Sequence, residues 1–144
     1  MRTASWILLT LATLLIALGG LGSVFLAYFG APSADVITPS TTLESLQVSE
    51  EAATALRGRR GTAGAFAIAF SSMLLFVILI PYRKGSLWAW WAILCSTSLL
   101  AAFAALRIIA LGTSQGVSTY GLLLAVVVIG LLLDVKRLTG GGAE

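Results

Sequence analysis

Apolar and polar positions divide this chain into four long apolar runs separated by polar segments. The runs cover residues 4–29, 61–80, 86–111 and 117–133. A helix needs roughly 20 mainly apolar residues to cross the hydrocarbon of a bilayer. Each run must be helical there, because a backbone group without a hydrogen-bond partner is costly in lipid. The pattern predicts an all-α fold, an integral membrane four-helix bundle that forms a single transmembrane domain over residues 1–144.

The polar segments differ in length. Two short connections predict that spans two, three and four are antiparallel neighbours, whereas residues 30–60 form a long first loop on the outer side. Its first part has two prolines and small polar residues, as in an extended connector. Thr41 or Thr42 is then placed to cap a helix, with Glu44 in the capping-box position. We expect a short amphipathic helix with an apolar stripe of Leu43, Leu46, Ala53 and Leu56. A partner-binding arm is the alternative.

The first run also has features of a cleaved signal peptide, because Arg2 precedes it and small residues follow it. Its apolar length greatly exceeds the usual 7–15-residue core of a signal peptide. We therefore expect the run to be retained as a span.

Composition supports a membrane protein. The chain is 58% hydrophobic and 10% charged, whereas soluble domains are about 45–50% apolar and about 25% charged. Histidine is absent, which removes the commonest general base and metal ligand. Cys95 is the single cysteine, so an intrachain disulfide is excluded. We predict no enzyme activity, no cofactor and no metal site.

The cations lie at the ends of apolar runs, which favours an orienting function over nucleic-acid binding. With the N-terminus inside, the cytoplasmic cations are Arg2, Arg83, Lys84, Lys136 and Arg137. The outer cations are then Arg57, Arg59, Arg60 and Arg107. The very short loop with Arg83 and Lys84 carries most weight, because the positive-inside rule is most reliable for short loops. The distribution predicts that both termini lie in the cytoplasm.

A short segment, Pro81–Ala92, is called the tryptophan turn below. Pro81 is expected to end the second span, since proline lacks an amide hydrogen, and Gly85 permits a tight reversal. The segment also holds two cations and three indoles that favour headgroup depth. Successive helix positions fan out by about 100°, so the three rings cannot all face one ligand. We predict membrane-interface anchors, namely Arg83, Lys84, Trp88, Trp90 and Trp91; a dedicated ligand site is the alternative.

The stretch PYRKGSLWAWWAIL resembles the second hairpin of a group of small, uncharacterised bacterial four-span membrane proteins. The shared motif is Arg/Lys-Gly-x-x-Trp-Ala-Trp between spans two and three. The preceding LESLQVSEEAATALRGRRGTAGAF is similar to their loop, in which a short helix precedes a basic residue and a glycine. The resemblance covers about half of the chain and implies a fold but no activity. Together with the short loops between the spans, it favours a bacterial inner membrane. Those proteins often carry a histidine near the start of span two, and this chain has none.

Arg107 lies inside an apolar run, where an unpaired cation is costly. From Trp88 to Arg107 a helix rises roughly 28 Å, close to the hydrocarbon thickness. If the tryptophans mark the inner interface, Arg107 reaches the outer one and can extend to phosphate. The alternatives are a pair with Asp35, Glu50 or Glu51, or contact with an anionic ligand.

Small and hydroxylated residues recur within the spans. Small-xxx-small spacing lets helices approach closely, and it predicts contacts through Gly19 with Ser23, Ala65 with Ala69, and Ala101 with Ala105. Hydroxyls lie mid-span at Ser71, Ser72, Ser96, Thr97 and Ser98. We expect these hydroxyls to bond within the bundle, often to their own preceding turn. A polar ligand cavity is the alternative.

These features predict a non-catalytic membrane protein that acts through lateral helix contacts. It would be an accessory or structural subunit of a membrane complex, or a self-assembling unit. Its expected partners are the lipid bilayer and other membrane subunits or itself, without nucleic acid. The alternative is a binder or carrier of a hydrophobic small molecule or lipid in a cleft among spans two to four, with Arg107 or the hydroxyls as polar contact.

Overall fold

The computed structural model describes residues 2–31, 36–38, 41–42, 45, 47–111 and 117–135, and the fold is all-α, as predicted. This part of the chain contains four α-helices: α1 (Arg2–Phe29), α2 (Glu50–Val77), α3 (Leu87–Leu111) and α4 (Val117–Leu132). A five-residue π turn, Ile78–Tyr82, extends α2. Two short strands, β1 (Val36–Thr38) and β2 (Thr41–Thr42), pair antiparallel with Val36 opposite Thr42 and Thr38 opposite Thr41.

Three of the helices are long and apolar enough to cross a membrane, and they define an integral membrane protein. These segments are Ala4–Phe29, Glu50–Tyr82 and Leu87–Ala110. The fourth helix is apolar but shorter, with 16 residues. At 1.5 Å per residue it spans roughly 24 Å, against about 30 Å of hydrocarbon. The four predicted spans therefore correspond to four helices, of which three reach full membrane length.

The first loop differs from the prediction of a separate amphipathic helix. Thr41 and Thr42 form β2, and the helix begins at Glu50 and runs without a break into the second span. Ser49 starts it, since its hydroxyl accepts a hydrogen bond from the Ala52 amide at 3.3 Å. No proline interrupts the alanine-rich stretch between Ser49 and the span, so helix propensity continues through it. Leu43, Glu44 and Leu46 lie outside the described residues.

The second span also ends later than predicted. Pro81 lies inside the π turn, and the helix ends at Tyr82. A π turn uses i→i+5 hydrogen bonds, and here the Arg83 amide donates to the Ile78 carbonyl at 3.1 Å. The wider turn accommodates a residue that has no amide hydrogen to donate. The helix therefore ends two residues beyond the predicted boundary at residue 80.

The charges on this long helix bracket its membrane segment. Residues 61–82 contain no Asp, Glu, Lys or Arg and rise roughly 33 Å, which matches the hydrocarbon thickness of about 30 Å. The preceding turns carry Glu50, Glu51, Arg57, Arg59 and Arg60. Because charged side chains are costly in lipid, we infer that the first three turns of α2 extend beyond the hydrocarbon.

The chain divides into two compact units. Unit 1 comprises residues 1–14 and 73–144, and unit 2 comprises residues 15–72. In unit 1 the buried positions of α3, Ala89, Ile93, Thr97 and Ala104, share one face, as their spacing by about whole turns requires. In unit 2 the buried positions include Gly20, Gly61 and Gly64. That residues 1–144 form one domain stays a prediction.

Candidate functional site at the tryptophan turn

A tight backbone reversal forms the centre of the tryptophan turn. The Gly85 amide donates to the Tyr82 carbonyl at 2.9 Å, and the Ser86 amide donates to the Pro81 carbonyl at 3.0 Å. Gly85 has a φ angle of 90°, in the region where a side chain would be strained. Arg83 and Lys84 are exposed at the tip. The sequence prediction for Gly85 is confirmed by this geometry.

Arg83 contacts an aromatic ring from another helix. Its guanidinium carbon lies 5.1 Å from the ring centroid of Trp6, near the start of α1. A cation within about 6 Å of an indole face is attracted by the ring quadrupole. The sequence prediction did not include Trp6. The feature that could have indicated it is a single tryptophan close to Arg2, at the start of the first apolar run. The contact gives the Arg83 side chain a defined position at the surface.

The three tryptophans of the turn do not all point the same way. Trp88 is 60% exposed and Trp91 is 54% exposed, whereas Trp90 is half-buried. The indole nitrogen of Trp90 donates to the Leu131 carbonyl at 3.2 Å, which joins α3 to α4. The rings of Trp90 and Trp91 meet edge to face with centroids 4.9 Å apart. Two indoles are therefore available to the bilayer, and the third holds the end of α4.

A buried hydroxyl contact lies beneath the turn. The hydroxyls of Ser5 and Tyr82 are 2.6 Å apart, and the Ser5 hydroxyl donates to the Gly130 carbonyl at 2.7 Å. Ser5 is fully buried and Tyr82 is 1% exposed. Polar groups in an apolar interior must be paired, so this contact restricts how α1, the π turn and α4 pack. Neither residue was a candidate from the sequence.

Asp134 is a second feature that the sequence prediction missed. It lies two residues after the end of α4 and is 3% exposed, and its amide donates to the Leu131 carbonyl at 3.2 Å. Acidic side chains are rarely buried this completely. The available signal was an acid placed directly after an apolar run. Asp134 thus lies in the interior of unit 1.

Three of the mid-span hydroxyls bond to their own helix, as expected. Ser71 donates to the Ala67 carbonyl at 2.8 Å, Ser96 to the Ala92 carbonyl at 2.7 Å, and Thr97 to the Ile93 carbonyl at 2.7 Å. Such bonds satisfy a hydroxyl inside lipid without a partner helix. These three hydroxyls are therefore explained by local bonding, without a polar ligand cavity.

The close helix approach of unit 2 lies beside the predicted small pairs. A Cβ atom on Gly20 would lie 2.9 Å from the Gly64 carbonyl oxygen, and one on Gly64 would lie 2.8 Å from the Gly20 carbonyl oxygen. Ser23 takes part, with its Cβ 3.0 Å from that Gly64 position, whereas a Cβ on Gly19 would meet nothing within 4 Å. The backbones of α1 and α2 thus approach closely through Gly20 and Gly64.

The alanine pairs take no such position. Ala65 and Ala69 on α2 are exposed, and on α3 Ala105 is exposed and Ala101 half-buried. Exposed small residues leave a helix face open to lipid or to another helix. Helix contacts through these four alanines stay a prediction, and they would be made with another protein or with a second copy of this chain.

Two arginines complete the predicted set. Arg57 donates through Nη2 to the Gly30 carbonyl, just after the end of α1, where helix carbonyls lack intrahelical partners. Arg107 lies in α3, but its side chain lies outside the described residues. Its extension to outer phosphate, its pairing with an acid and its contact with a ligand therefore stay predictions.

The described side chains of unit 1 join its helices to one another at this site. Among them no group of three or more His, Cys, Asp or Glu could hold a metal ion. The side chains joined at the turn are hydroxyls, indoles and a cation, and their contacts join helices of unit 1. No family model matches the chain, and neither the curated proteins nor the solved structures compared with it include a similar one. The resemblance of its tryptophan turn to the bacterial four-span group stays a prediction.

Proposed function

We propose that this integral membrane protein is non-catalytic and acts through lateral helix contacts, as an accessory or structural subunit of a membrane complex or as a self-assembling unit. The distribution of apolar surface carries the proposal. In the most apolar window of each membrane-length helix, only 22%, 22% and 18% of the residues are buried within the chain. Most of the apolar surface therefore faces outward, where lipid or a partner helix covers it.

The use of the polar side chains supports the same proposal. Tyr82 and Ser5 join helix ends, Trp90 joins α3 to α4, and Ser96 and Thr97 bond to their own helix. The sequence has no histidine to serve as a general base. The hydrogen bonds of these side chains stabilise helices and their packing. The side chains do not converge on one point, as the groups of a catalytic site would.

Exposed alanines supply the surface for lateral contact in this proposal. Ala65 and Ala69 are both exposed on α2, four positions apart and hence on one face. Small residues let a partner backbone approach closely. The partner is another membrane subunit or a second copy of this chain. The cations in the short turn support a cytoplasmic location for both termini. The short loops, with the resemblance of the turn to the bacterial four-span group, support a bacterial inner membrane.

The test is purification of the full chain in mild detergent, followed by native mass spectrometry. We expect a discrete complex with a membrane protein or with further copies of the chain. Replacing Ala65 and Ala69 together by leucine fills that face and is expected to dissociate the complex. Ala63→Leu is the matched control, because Ala63 is exposed but lies about 200° around the helix from Ala65.

Three results would contradict the proposal. The first is a monomer without a partner whose mass is unchanged by the paired substitution. The second is equal dissociation by Ala63→Leu, which would indicate general helix damage. A monomer that retains a stoichiometric apolar molecule would instead favour the ligand-binding alternative.

A further inference from the structure

We propose that the tryptophan turn is a binding site for the phosphate of an anionic phospholipid, with Arg83 as its positioned cation. This inference is independent of whether the protein is a complex subunit. It concerns a specific preference among lipids, beyond general anchoring at the interface.

The charge of the site matches an anionic headgroup. Arg83 and Lys84 are adjacent and exposed. Asp134 is the one acid among the described residues of unit 1, so the two exposed cations outnumber it and the net charge of these three side chains is positive. Juxtamembrane Lys and Arg side chains attract anionic lipid headgroups electrostatically.

The position of Arg83 distinguishes this site from a mobile basic patch. Its guanidinium is held over Trp6 of α1, on a turn closed by the Gly85 and Ser86 amide bonds. A guanidinium has five N–H donors, so one that already contacts Trp6 can also donate to a phosphate, at a small further loss of side-chain entropy. A cation that is already positioned loses less side-chain entropy on binding than a mobile one. It therefore favours a headgroup whose charge it can meet in that position.

An apolar surface continues from the cations onto α3. Leu87, Trp88 and Trp91 are 51%, 60% and 54% exposed, and the first and third lie one turn apart on the helix. Indole rings favour the region between headgroup and acyl chain. The site thus combines cations for the phosphate with an adjoining apolar face for the glycerol and upper acyl chains, which fits a phospholipid better than free phosphate.

The test is the relative association constant of spin-labelled phosphatidylglycerol and phosphatidylcholine for the full chain in phosphatidylcholine vesicles. We expect wild type to prefer phosphatidylglycerol. Arg83→Gln should reduce that preference about fivefold, the ratio that corresponds to roughly 1 kcal/mol for one cation. Arg83→Lys keeps the charge but loses the planar fork, so a partial loss is expected.

A second variant tests the positioning of Arg83. Trp6→Leu retains both cations and should lower the preference for phosphatidylglycerol. Arg59→Gln is the matched control, because Arg59 is an exposed arginine in the charged first turns of α2. Circular dichroism of each variant checks that helix content is unchanged.

Several results would overturn the proposal. One is an unchanged lipid preference in Arg83→Gln, and another is an equal loss in Arg59→Gln, which would indicate general charge attraction. An unchanged preference in Trp6→Leu would remove the positioned site. Loss of the preference on adding inorganic phosphate, at constant ionic strength, would assign the site to free phosphate instead of lipid.

Discussion

The hydroxyl oxygens of Ser5 and Tyr82 lie 2.6 Å apart in the interior of unit 1. The Ser5 hydroxyl donates its hydrogen to the Gly130 carbonyl at 2.7 Å, so the Tyr82 hydroxyl is the donor to Ser5. This short chain of hydrogen bonds joins α1, the π turn and α4 within an apolar core. Hydrogen bonds are directional, whereas the surrounding apolar contacts are not. The chain of hydrogen bonds therefore restricts how these three elements pack.

Removing the serine hydroxyl should destabilise the protein more than removing the tyrosine hydroxyl. Ser5→Ala breaks both hydrogen bonds, and hydrogen bonds between membrane helices contribute on average about 0.6 and at most about 1.7 kcal/mol each. We expect a loss of about 1–2 kcal/mol for Ser5→Ala and less than about 1 kcal/mol for Tyr82→Phe, which breaks one bond. Reversible unfolding in mixed micelles measures both losses.

The double variant gives the sharper comparison. Because Ser5→Ala has already removed the bond to tyrosine, the double variant should lose less than the sum of the two single losses. Thr62→Ala is the control, since the Thr62 hydroxyl bonds to the Gly58 carbonyl of its own exposed helix turn. Strict additivity of Ser5→Ala and Tyr82→Phe would contradict the hydrogen-bond chain.

The helices were predicted from the sequence because the signals that set them are local. Run length and the need to satisfy the backbone in lipid predicted all four. The errors concern the two ends of the second helix, where the backbone geometry of a few residues decides the boundary. Pro81 was expected to stop a helix, yet the π turn accommodates it. The helix α2 begins at Glu50 and continues into the second span, because no proline lies between Glu50 and Gly61 to interrupt it.

The contacts between helices were much harder to predict. A span that is apolar on all sides has no periodic signal for its rotation, so Trp90 could not be told apart from Trp88 and Trp91. Ser5 and Tyr82 are 77 positions apart along the chain, and no local pattern relates them. Of the predicted Gly19–Ser23 pair, Ser23 lies at the close approach, but its glycine is Gly20, one position after Gly19.

Substitution of the two contact glycines should be costly. A Cβ on Gly20 would lie 2.9 Å from the Gly64 carbonyl oxygen, a backbone atom that cannot rotate away. We expect Gly20→Ala to destabilise unit 2 by about 1–3 kcal/mol, as for overpacking of a tight interface. Unfolding in mixed micelles again measures the change.

Gly19→Ala is the matched control for this substitution. A Cβ on Gly19 would meet nothing within 4 Å, and alanine is a better helix former by up to about 1 kcal/mol. We expect this variant to be as stable as wild type or more stable. Equal losses at Gly19 and Gly20 would contradict the assigned contact.

Arg57 should protect the end of α1 against opening. Its guanidinium donates to the Gly30 carbonyl, and a cation at a helix C-terminus also interacts favourably with the helix dipole. Arg57→Gln is expected to increase hydrogen exchange in a peptide covering residues 24–31 about fivefold, which corresponds to roughly 1 kcal/mol. Arg59→Gln is the control, because Arg59 is exposed. The same increase in both variants would show that general charge, not the Gly30 contact, protects this end.

The two ends of the uncharged stretch of α2 should lie on opposite sides of the membrane. Arg59 and Lys84 flank residues 61–82, which rise roughly 33 Å as a helix. In a Cys95→Ser background, each position is replaced singly by cysteine and treated with a membrane-impermeant maleimide in intact cells. We expect Arg59→Cys to react from outside and Lys84→Cys to react only after lysis, because short-loop cations stay in the cytoplasm.

Labelling after lysis provides the control, since both cysteines must then react. If Lys84→Cys alone reacts in intact cells, α2 crosses the membrane but the orientation is inverted. If both react in intact cells, α2 does not cross the membrane, and the bilayer segment inferred from its charges is wrong. Because Arg59 and Lys84 are exposed, a difference in reactivity between them reports the side of the membrane rather than burial within the protein.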